Sequence, residues 1–369
     1  MIRAPSAAAH TTEPPVMVTA ERVLITGNEA AAEGAVRGGC RFYFGYPITP
    51  QNDVPEYMSR RMPEVGGTFL QAESELAAIS LCHGAAAAGA VPMTSSSSPG
   101  ISLKQEGISY LSGCELPALI LNVQRGGPGL GDVRCAQGDY WQATRGGGHG
   151  DYFCLVLAPY TAQECCDLAV LGMHLAEKWR NPVLLLTDQQ VGQMMEPVTL
   201  PPLGPEAVGD PDWALTGAAG GRPRHFIHSY CGRPNELVEW NEKLIAKYQR
   251  MATEEVRYEA VEADDAELLL VAYGTSARLA KAAVTAARAR GHKVGLLRPI
   301  SLWPFPSGAI AELAGTARKM LVVEMSWGQM VEDVRLAVNG RADVELLNTF
   351  GGAVPRLPDI EARIEAMLA

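Results

Sequence analysis

The sequence predicts an α/β protein made of mostly parallel sheets covered by helices, arranged as two successive units. Two observations predict this. Short apolar stretches such as 119–123 and 183–187 alternate with longer stretches of helical character, the pattern of strands buried on both faces. In addition, the residues best suited to chemistry follow directly after predicted strands, where open α/β sheets bind ligands.

Composition narrows the function. The chain has 369 residues, 47% of them hydrophobic and 20% charged, as in an ordinary globular protein with room for two domains. A net charge of −10 argues against nucleic acid or an anionic membrane as partner. No apolar run reaches the roughly 18 residues that a membrane span needs. The first 18 residues, rich in Ala, Pro and Thr, lack a hydrophobic signal core and read as a disordered tail. None of the eight cysteines forms a CxxC pair; they read as buried free thiols in a reducing cytoplasm. Cluster-binding cysteine spacing is missing, so any iron–sulfur cluster belongs to another chain.

Residues 29–38 read as a helix stopped at Gly38–Gly39, and Arg41 to Gly45 as a strand. Pro47 and Pro50 end that strand and hold an open loop before a helix at Val54 to Arg61. Thr68 to Gln71 reads as a short buried strand leading into an alanine-rich helix. Val91 to Thr94 is the next strand. The serines at 95–98, followed by Pro99, supply hydroxyl caps for a helix at 101–113. Strands at Leu119 to Val123, Phe153 to Leu157 and Val183 to Thr187 follow, with a helix at 161–178. A Pro- and Gly-rich crossing segment from Pro197 to about Pro234 precedes a long charged helix, Glu236 to Glu259. The second unit begins at Glu267: a strand through Gly274, a helix at Ser276 to Arg290 and a strand at Lys293 to Leu297. Strand Met320 to Glu324, helix Gly328 to Val338 and strand Val344 to Leu347 complete it.

Two carboxylates stand at the start of the alanine-rich helix. Glu73 suits the ordinary role of a helix cap or dipole partner. Residues two apart on a helix point in different directions, so Glu75, followed by Leu76, Ala77, Ala78 and Ile79, enters a packed layer and needs a partner there. Thr49 lies in a loop of restricted backbone that aims its hydroxyl at a small ligand; its alternative is to cap the next helix. Arg125 follows an apolar strand and precedes two glycines, a setting for bidentate carboxylate binding or for a surface ion pair. His149 reads as a structural histidine or a proton shuttle, and His83 as a hydrogen-bonded core or interface residue. The loops GGPGLGD (126–132) and RGGGHGDY (145–152) fit neither phosphate-binding pattern and read as tight turns facing a partner chain.

Taken in order, FYFGYPITPQ (42–51), QAESELAAIS (71–80), TSSSSPGISLKQEGISY (94–110) and ILNVQRGGPGLGD (120–132) closely resemble the α subunit of the 2-oxoacid:ferredoxin oxidoreductases. QGDYWQATRGGGHGDY (137–152) and EMSWGQMVEDVRLAVNGR (324–341) resemble the branched-chain, 2-oxoisovalerate subgroup. The resemblance runs from about residue 20 to the C-terminus. It implies a pyrimidine-binding domain at 19–196, a linker and long helix at 197–262, and a transketolase C-terminal-like domain at 263–369.

The resemblance also implies roles. Glu75 becomes the acid hydrogen-bonded to the aminopyrimidine of thiamine diphosphate, favouring the tautomer that activates the thiazolium. Ser98 stands near the same ring, and Tyr46, Thr49 and Arg125 contact substrate. The GDG…N motif that holds Mg2+ and the diphosphate is absent; Gly138–Asp139 is followed by Tyr140. Thiamine diphosphate is therefore expected to be shared with a β subunit, with Mg2+ and [4Fe-4S] clusters on partner subunits, γ and ferredoxin-like δ chains among them. The implied reaction is oxidative decarboxylation of 3-methyl-2-oxobutanoate and related 2-oxoacids with coenzyme A, passing electrons to ferredoxin. The alternatives are 2-oxoglutarate or pyruvate as substrate, a thiamine-enzyme component without redox clusters, and a catalytically silent structural subunit.

Overall fold

The computed structural model describes residues 21–204 and 211–369. The expected N-terminal tail and part of the Pro/Gly-rich segment lie outside these residues. The first unit contains β1 (Glu21–Thr26), α1 (Gly27–Arg37), β2 (Phe42–Gly45), α2 (Asp53–Glu64), β3 (Thr68–Gln71), α3 (Glu75–Ala87), β4 (Met93–Ser96) and α4 (Ser98–Gly113). It continues through β5 (Ala118–Gly126), β6 (Asp132–Cys135), α5 (Tyr140–Arg145), β7 (Leu155–Leu157), α6 (Ala162–Trp179), β8 (Pro182–Asp188), α7 (Gln189–Gln193) and β9 (Met195–Leu200). The helix α8 (Glu236–Glu254) leads to β10 (Tyr258–Val261), β11 (Leu268–Val271), α9 (Gly274–Ala289), β12 (Val294–Pro299) and β13 (Ser301–Trp303). The last elements are α10 (Ser307–Leu313), β14 (Lys319–Glu324), α11 (Met330–Val338), β15 (Asp343–Asn348) and α12 (Leu357–Leu368).

Local chemistry sets the helix starts. Thr26 and Glu29 form a reciprocal capping box at α1, the hydroxyl accepting from Glu29 N at 3.2 Å and the carboxylate from Thr26 N at 3.0 Å. Ser74 caps α3 by accepting from Ala77 N at 3.2 Å. The expected cap, Glu73, lies outside the helix and is exposed. Thr161 and Asp188 cap α6 and α7 in the same way.

The main sheet has the strand order β13-β7-β8-β5-β4-β2-β3, with β6 hairpinned onto β5. From β7 to β3 every pairing on that path is parallel. The central strands β5 and β8 are buried throughout. β3, expected to be buried, is instead the sheet's edge and is largely exposed, because only β2 covers it. The second sheet runs β10-β12-β11-β14-β15, with β10 antiparallel and the others parallel.

Polar knots hold the two sheets together. Asp188, at the end of β8, accepts from Thr275 N at 2.8 Å and Thr275 Oγ1 at 2.6 Å at the start of α9. Gln137 donates to Tyr273 O at 2.9 Å and accepts from Ser276 Oγ at 3.1 Å and Met325 N at 3.0 Å. Tyr140 donates to Asp333 of α11 at 2.6 Å. β13 goes further and pairs antiparallel with β7, adding a strand from the second half to the sheet of the first. Sequence reading missed β1, β6, β9, β10 and β13, which are short or lie at the edges of their sheets.

Candidate active site

Four neighbouring parallel strands, β3, β2, β4 and β5, deliver the candidate residues to one edge. Each strand ends where its chemistry begins: Glu75 after β3, Tyr46 and Thr49 after β2, the serines at the end of β4, and Arg125 in the last turn of β5. This is the carboxyl end of a parallel sheet, where the backbone opens to ligands.

Glu75 is the first residue of α3 and is only 6% exposed. Its carboxylate accepts no hydrogen bond among the described residues, yet its oxygens are not sealed off, which leaves them open to a ligand. The carboxylate lies directly against Gly100 of α4. A Cβ on Gly100 would collide with Ser96 Oγ and stand 2.5 Å from Glu75 Oε1. Glycine thus lets α4 pack closely against Ser96 and the Glu75 carboxylate, and among the described residues the buried hydroxyls of Ser96 and Ser97 also lack partners.

The serine run does not cap α4 as expected. Ser97 is the N-cap residue, yet its side chain makes no capping bond. Ser95 bonds to Tyr43 OH at 2.6 Å and to the Gln51 amide oxygen, tying β4 to β2 and to the loop after it. Ser98 donates to Asp139 Oδ2 at 2.6 Å and accepts from Arg125 N at 3.0 Å. Its hydroxyl hydrogen is therefore committed to Asp139. Asn122 completes this node by accepting from Ser98 N at 3.1 Å and donating to Asp139 at 2.9 Å. Burial raises the pKa of Asp139, while the bonds from Ser98 and Asn122 oppose that rise.

Arg125 is buried at 6% exposure and forms no ion pair among the described residues. Its Nη1 donates to Thr49 O at 2.9 Å and its Nη2 to Leu130 O at 3.0 Å, so it clamps the YPITP loop to the glycine-rich β5–β6 turn. Its Nε has no partner. Thr49 is exposed, and its hydroxyl accepts only a long bond, 3.4 Å, from Asn52. Tyr46 is half-buried, with its carbonyl accepting from Gln51 at 3.3 Å.

The structure brings Glu75, Ser98, Tyr46, Thr49 and Arg125 to one edge and leaves the histidines out. His149 is exposed against the ring of Tyr110. His83 is half-buried, and burial lowers its pKa; contrary to expectation it makes no hydrogen bond among the described residues. Sequence reasoning passed over Gly100, Asn122 and Lys104, and weighed Asp139 only as part of a metal–diphosphate motif that is absent. A glycine following Pro99 on the helix after a strand was the available signal for the first; the others became visible only through packing.

A carboxylate without a bonded partner among the described residues, at the strand ends of a mostly parallel, helix-covered sheet, fits a thiamine-diphosphate-binding α/β protein. Comparison with known proteins agrees. Residues 33–260 match the family described as pyruvate flavodoxin/ferredoxin oxidoreductase, thiamine diphosphate-binding, and residues 266–360 match pyruvate:ferredoxin oxidoreductase core domain II. The chain therefore belongs to this family of 2-oxoacid oxidoreductases, as a subunit of the α kind. It is 51% identical over 341 residues to the ketoisovalerate oxidoreductase subunit VorB of Methanothermobacter thermautotrophicus, covering 92% of this chain and 96% of that one. It is 37% identical over 373 residues to the 2-oxoglutarate synthase subunit KorA of Methanothermobacter marburgensis, covering 94% of this chain and 99% of that one. Among solved structures, the 2-oxoglutarate:ferredoxin oxidoreductase of Magnetococcus marinus superposes with a TM-score of 0.81 at 25% identity, covering 94% of this chain but only 65% of that one. A split-gene transketolase, TM-score 0.58 and 14% identity over 93% of this chain and 98% of that one, shares the fold. No helix among the described residues is long and apolar enough to cross a membrane.

Proposed function

We propose that this chain holds the aminopyrimidine half of a thiamine-diphosphate site in an enzyme that oxidatively decarboxylates branched-chain 2-oxoacids. The products are an acyl-CoA, CO2 and reduced ferredoxin. The observation that carries this reading is Glu75: buried at the carboxyl end of the sheet, packed against Gly100, and without a hydrogen bond among the described residues. Glu75 holds a proton at the pyrimidine nitrogen, and Ser98 acts through Asp139 and the Arg125 backbone to fix this edge of the sheet. Thiamine diphosphate, when bound, supplies the carbon nucleophile and the sink for the electron pair released on decarboxylation.

Tyr46, Thr49 and Arg125 form the substrate edge. Arg125 sets the Thr49 loop and offers its unpartnered Nε–H, a charge-assisted donor, to the 2-oxoacid carboxylate. Thr49 presents its hydroxyl beside it. The branched-chain preference rests on the greater identity to the ketoisovalerate subunit than to the 2-oxoglutarate one.

The chain lacks the diphosphate–Mg2+ motif and the cysteine spacing of an iron–sulfur protein. A β partner supplies the first, and clusters on partner subunits, including γ and ferredoxin-like δ chains, carry electrons to ferredoxin in the cytoplasm. The test is an assay of the co-expressed complex with a viologen dye and coenzyme A against a panel of 2-oxoacids. The highest kcat/KM is expected for 3-methyl-2-oxobutanoate; no reduction with any 2-oxoacid overturns the reading.

A further inference from the structure

Lys104 is a buried cation that the site as described does not use. It lies on α4 at 0% exposure, and its ammonium makes one hydrogen bond, to Thr94 Oγ1 at 2.8 Å. No carboxylate stands within ion-pair distance of it among the described residues. An ammonium buried with one neutral partner destabilises a fold unless something else requires it.

Its position suggests what does. Gly100, Lys104 and Gly107 stand at i, i+4 and i+7 of α4 and so share one face. On that face a Cβ at Gly100 would meet Glu75, and one at Gly107 would stand 2.5 Å from Ile79 Cγ2, one turn further along α3. Lys104 therefore sits between these two contacts, beneath the start of α3. The ionisable groups acting on it are Cys82 and Glu75 of α3, and the group facing it from β4 is the neutral Thr94 hydroxyl. Beyond Cys82 lie the neutral Cys40 thiol and the Tyr43 phenol, both held protonated by burial. Burial pushes the Lys104 ammonium down to about 8, which leaves it charged at neutral pH.

We propose that Lys104 is a positioning residue for the proton of Glu75, its ammonium stabilising the carboxylate form so that a shared proton comes to rest on the pyrimidine nitrogen. This rests on the reading of Glu75 given above. No donor among the described residues bonds to the Glu75 carboxylate, so the buried ammonium one turn along the same face of α4 is the positive charge that bears on it. With Lys104 in place, docking the pyrimidine draws one proton from solvent. Without it, Glu75 already holds that proton and solvent supplies none. The balance is one proton in either case, and only its source changes.

The experiment is calorimetric titration of the co-expressed complex with thiamine diphosphate at pH 7, in buffers of different ionisation enthalpy, which counts protons taken up on binding. The wild-type complex is expected to take up about one proton per site. K104M, which keeps the length and apolar stem of the side chain, is expected to lose most of that uptake. E75Q loses it entirely, and K104M adds nothing in the E75Q background, whereas a merely structural lysine would leave the count unchanged. If K104M fails to assemble, K104Q, which can still donate to Thr94, makes the same comparison. Uptake by the Lys104 variant equal to wild type overturns the role of Lys104 alone. A wild-type complex that binds no thiamine diphosphate overturns the proposed function and this inference with it.

Discussion

Arg125 reaches Thr49 through the main chain: its Nη1 donates to the Thr49 carbonyl at 2.9 Å, while the threonine hydroxyl accepts from Asn52 at 3.4 Å. The same guanidinium holds the carbonyl of Leu130, so one side chain sets the shape of two loops. Arg125→Lys keeps the charge but cannot serve both carbonyls and a carboxylate from one planar fork. It is expected to raise the KM for 2-oxoacid more than it lowers kcat. The loss in kcat/KM should be about 1–3 kcal/mol, the size of a hydrogen bond to a charged group. Steady-state kinetics of the complex check this, and unchanged constants would move the substrate clamp to another residue.

Glu75→Gln keeps the size of the side chain and one acceptor but cannot share an acidic proton. The fold and assembly should survive, and turnover should fall by about 10²–10⁴-fold, the usual contribution of a positioned acid or base. Glu73→Gln alters an exposed residue outside the helix and should leave turnover near wild type. Exchange of the C2 proton of bound thiamine diphosphate separates the two variants. Normal exchange with Gln at 75 and stalled exchange with Gln at 73 would assign the acid's role to Glu73.

Gly100→Ala places a methyl group against Ser96 Oγ and Glu75 Oε1. The residue is helical and alanine favours helix, so the backbone should accept it. The expected result is a complex that assembles but binds thiamine diphosphate at least tenfold more weakly, measured by quenching of intrinsic fluorescence. Wild-type affinity would mean that the packing of Gly100 against Glu75 has no bearing on the cofactor site.

The pH dependence of stability has opposing contributions. The Lys104 ammonium titrates at about 8 in the fold against 10.5 when free, so between these values the unfolded chain binds more protons and the cost of burying the lysine fades as pH rises. Buried thiols act the other way: Cys40, Cys82 and Cys154 are pushed from 9.0 to about 12, and their contribution is lost as pH climbs above 9. Wild-type stability should therefore decline above pH 9. K104M should be more stable than wild type at pH 7, by on the order of 1–3 kcal/mol, and the difference should vanish toward pH 10.5. Urea unfolding at pH 7 and pH 10 measures it; a variant less stable at pH 7 would show that the lysine is there for the fold.

Much of this architecture was legible because its signals are local. The apolar runs of β5 and β8 have no polar face, so they could only be central strands, and proline and glycine marked where helices stop. The YPITP loop, Glu75 and Arg125 were legible for the same reason, each lying within a few residues of a strand end. What was hidden depends on distant partners. Ser98 reads as a helix cap until Asp139, 41 positions away, takes its hydrogen. Lys104 carries no signal of its own in the sequence, because its burial follows from how α4 packs on α3 and β4. Burial of β3 was misjudged because strand order, which leaves it at the edge, is not written in the strand itself.

The antiparallel pairing of β13 with β7 bears on how such a protein can be divided. β13 falls within the stretch matching core domain II, yet Trp303 stacks on Phe153 of the first half with ring centroids 4.8 Å apart. Severing the chain in the segment before β10 would strip β7 of its neighbour and leave an open strand inviting self-association. Shuffling of these halves between relatives, by evolution or in the laboratory, must therefore keep strand β13 matched to the first sheet. A crossover after Trp303 would in turn split the second sheet between β11 and β14, so the halves share no clean seam, and a graft cut at the apparent linker should precipitate.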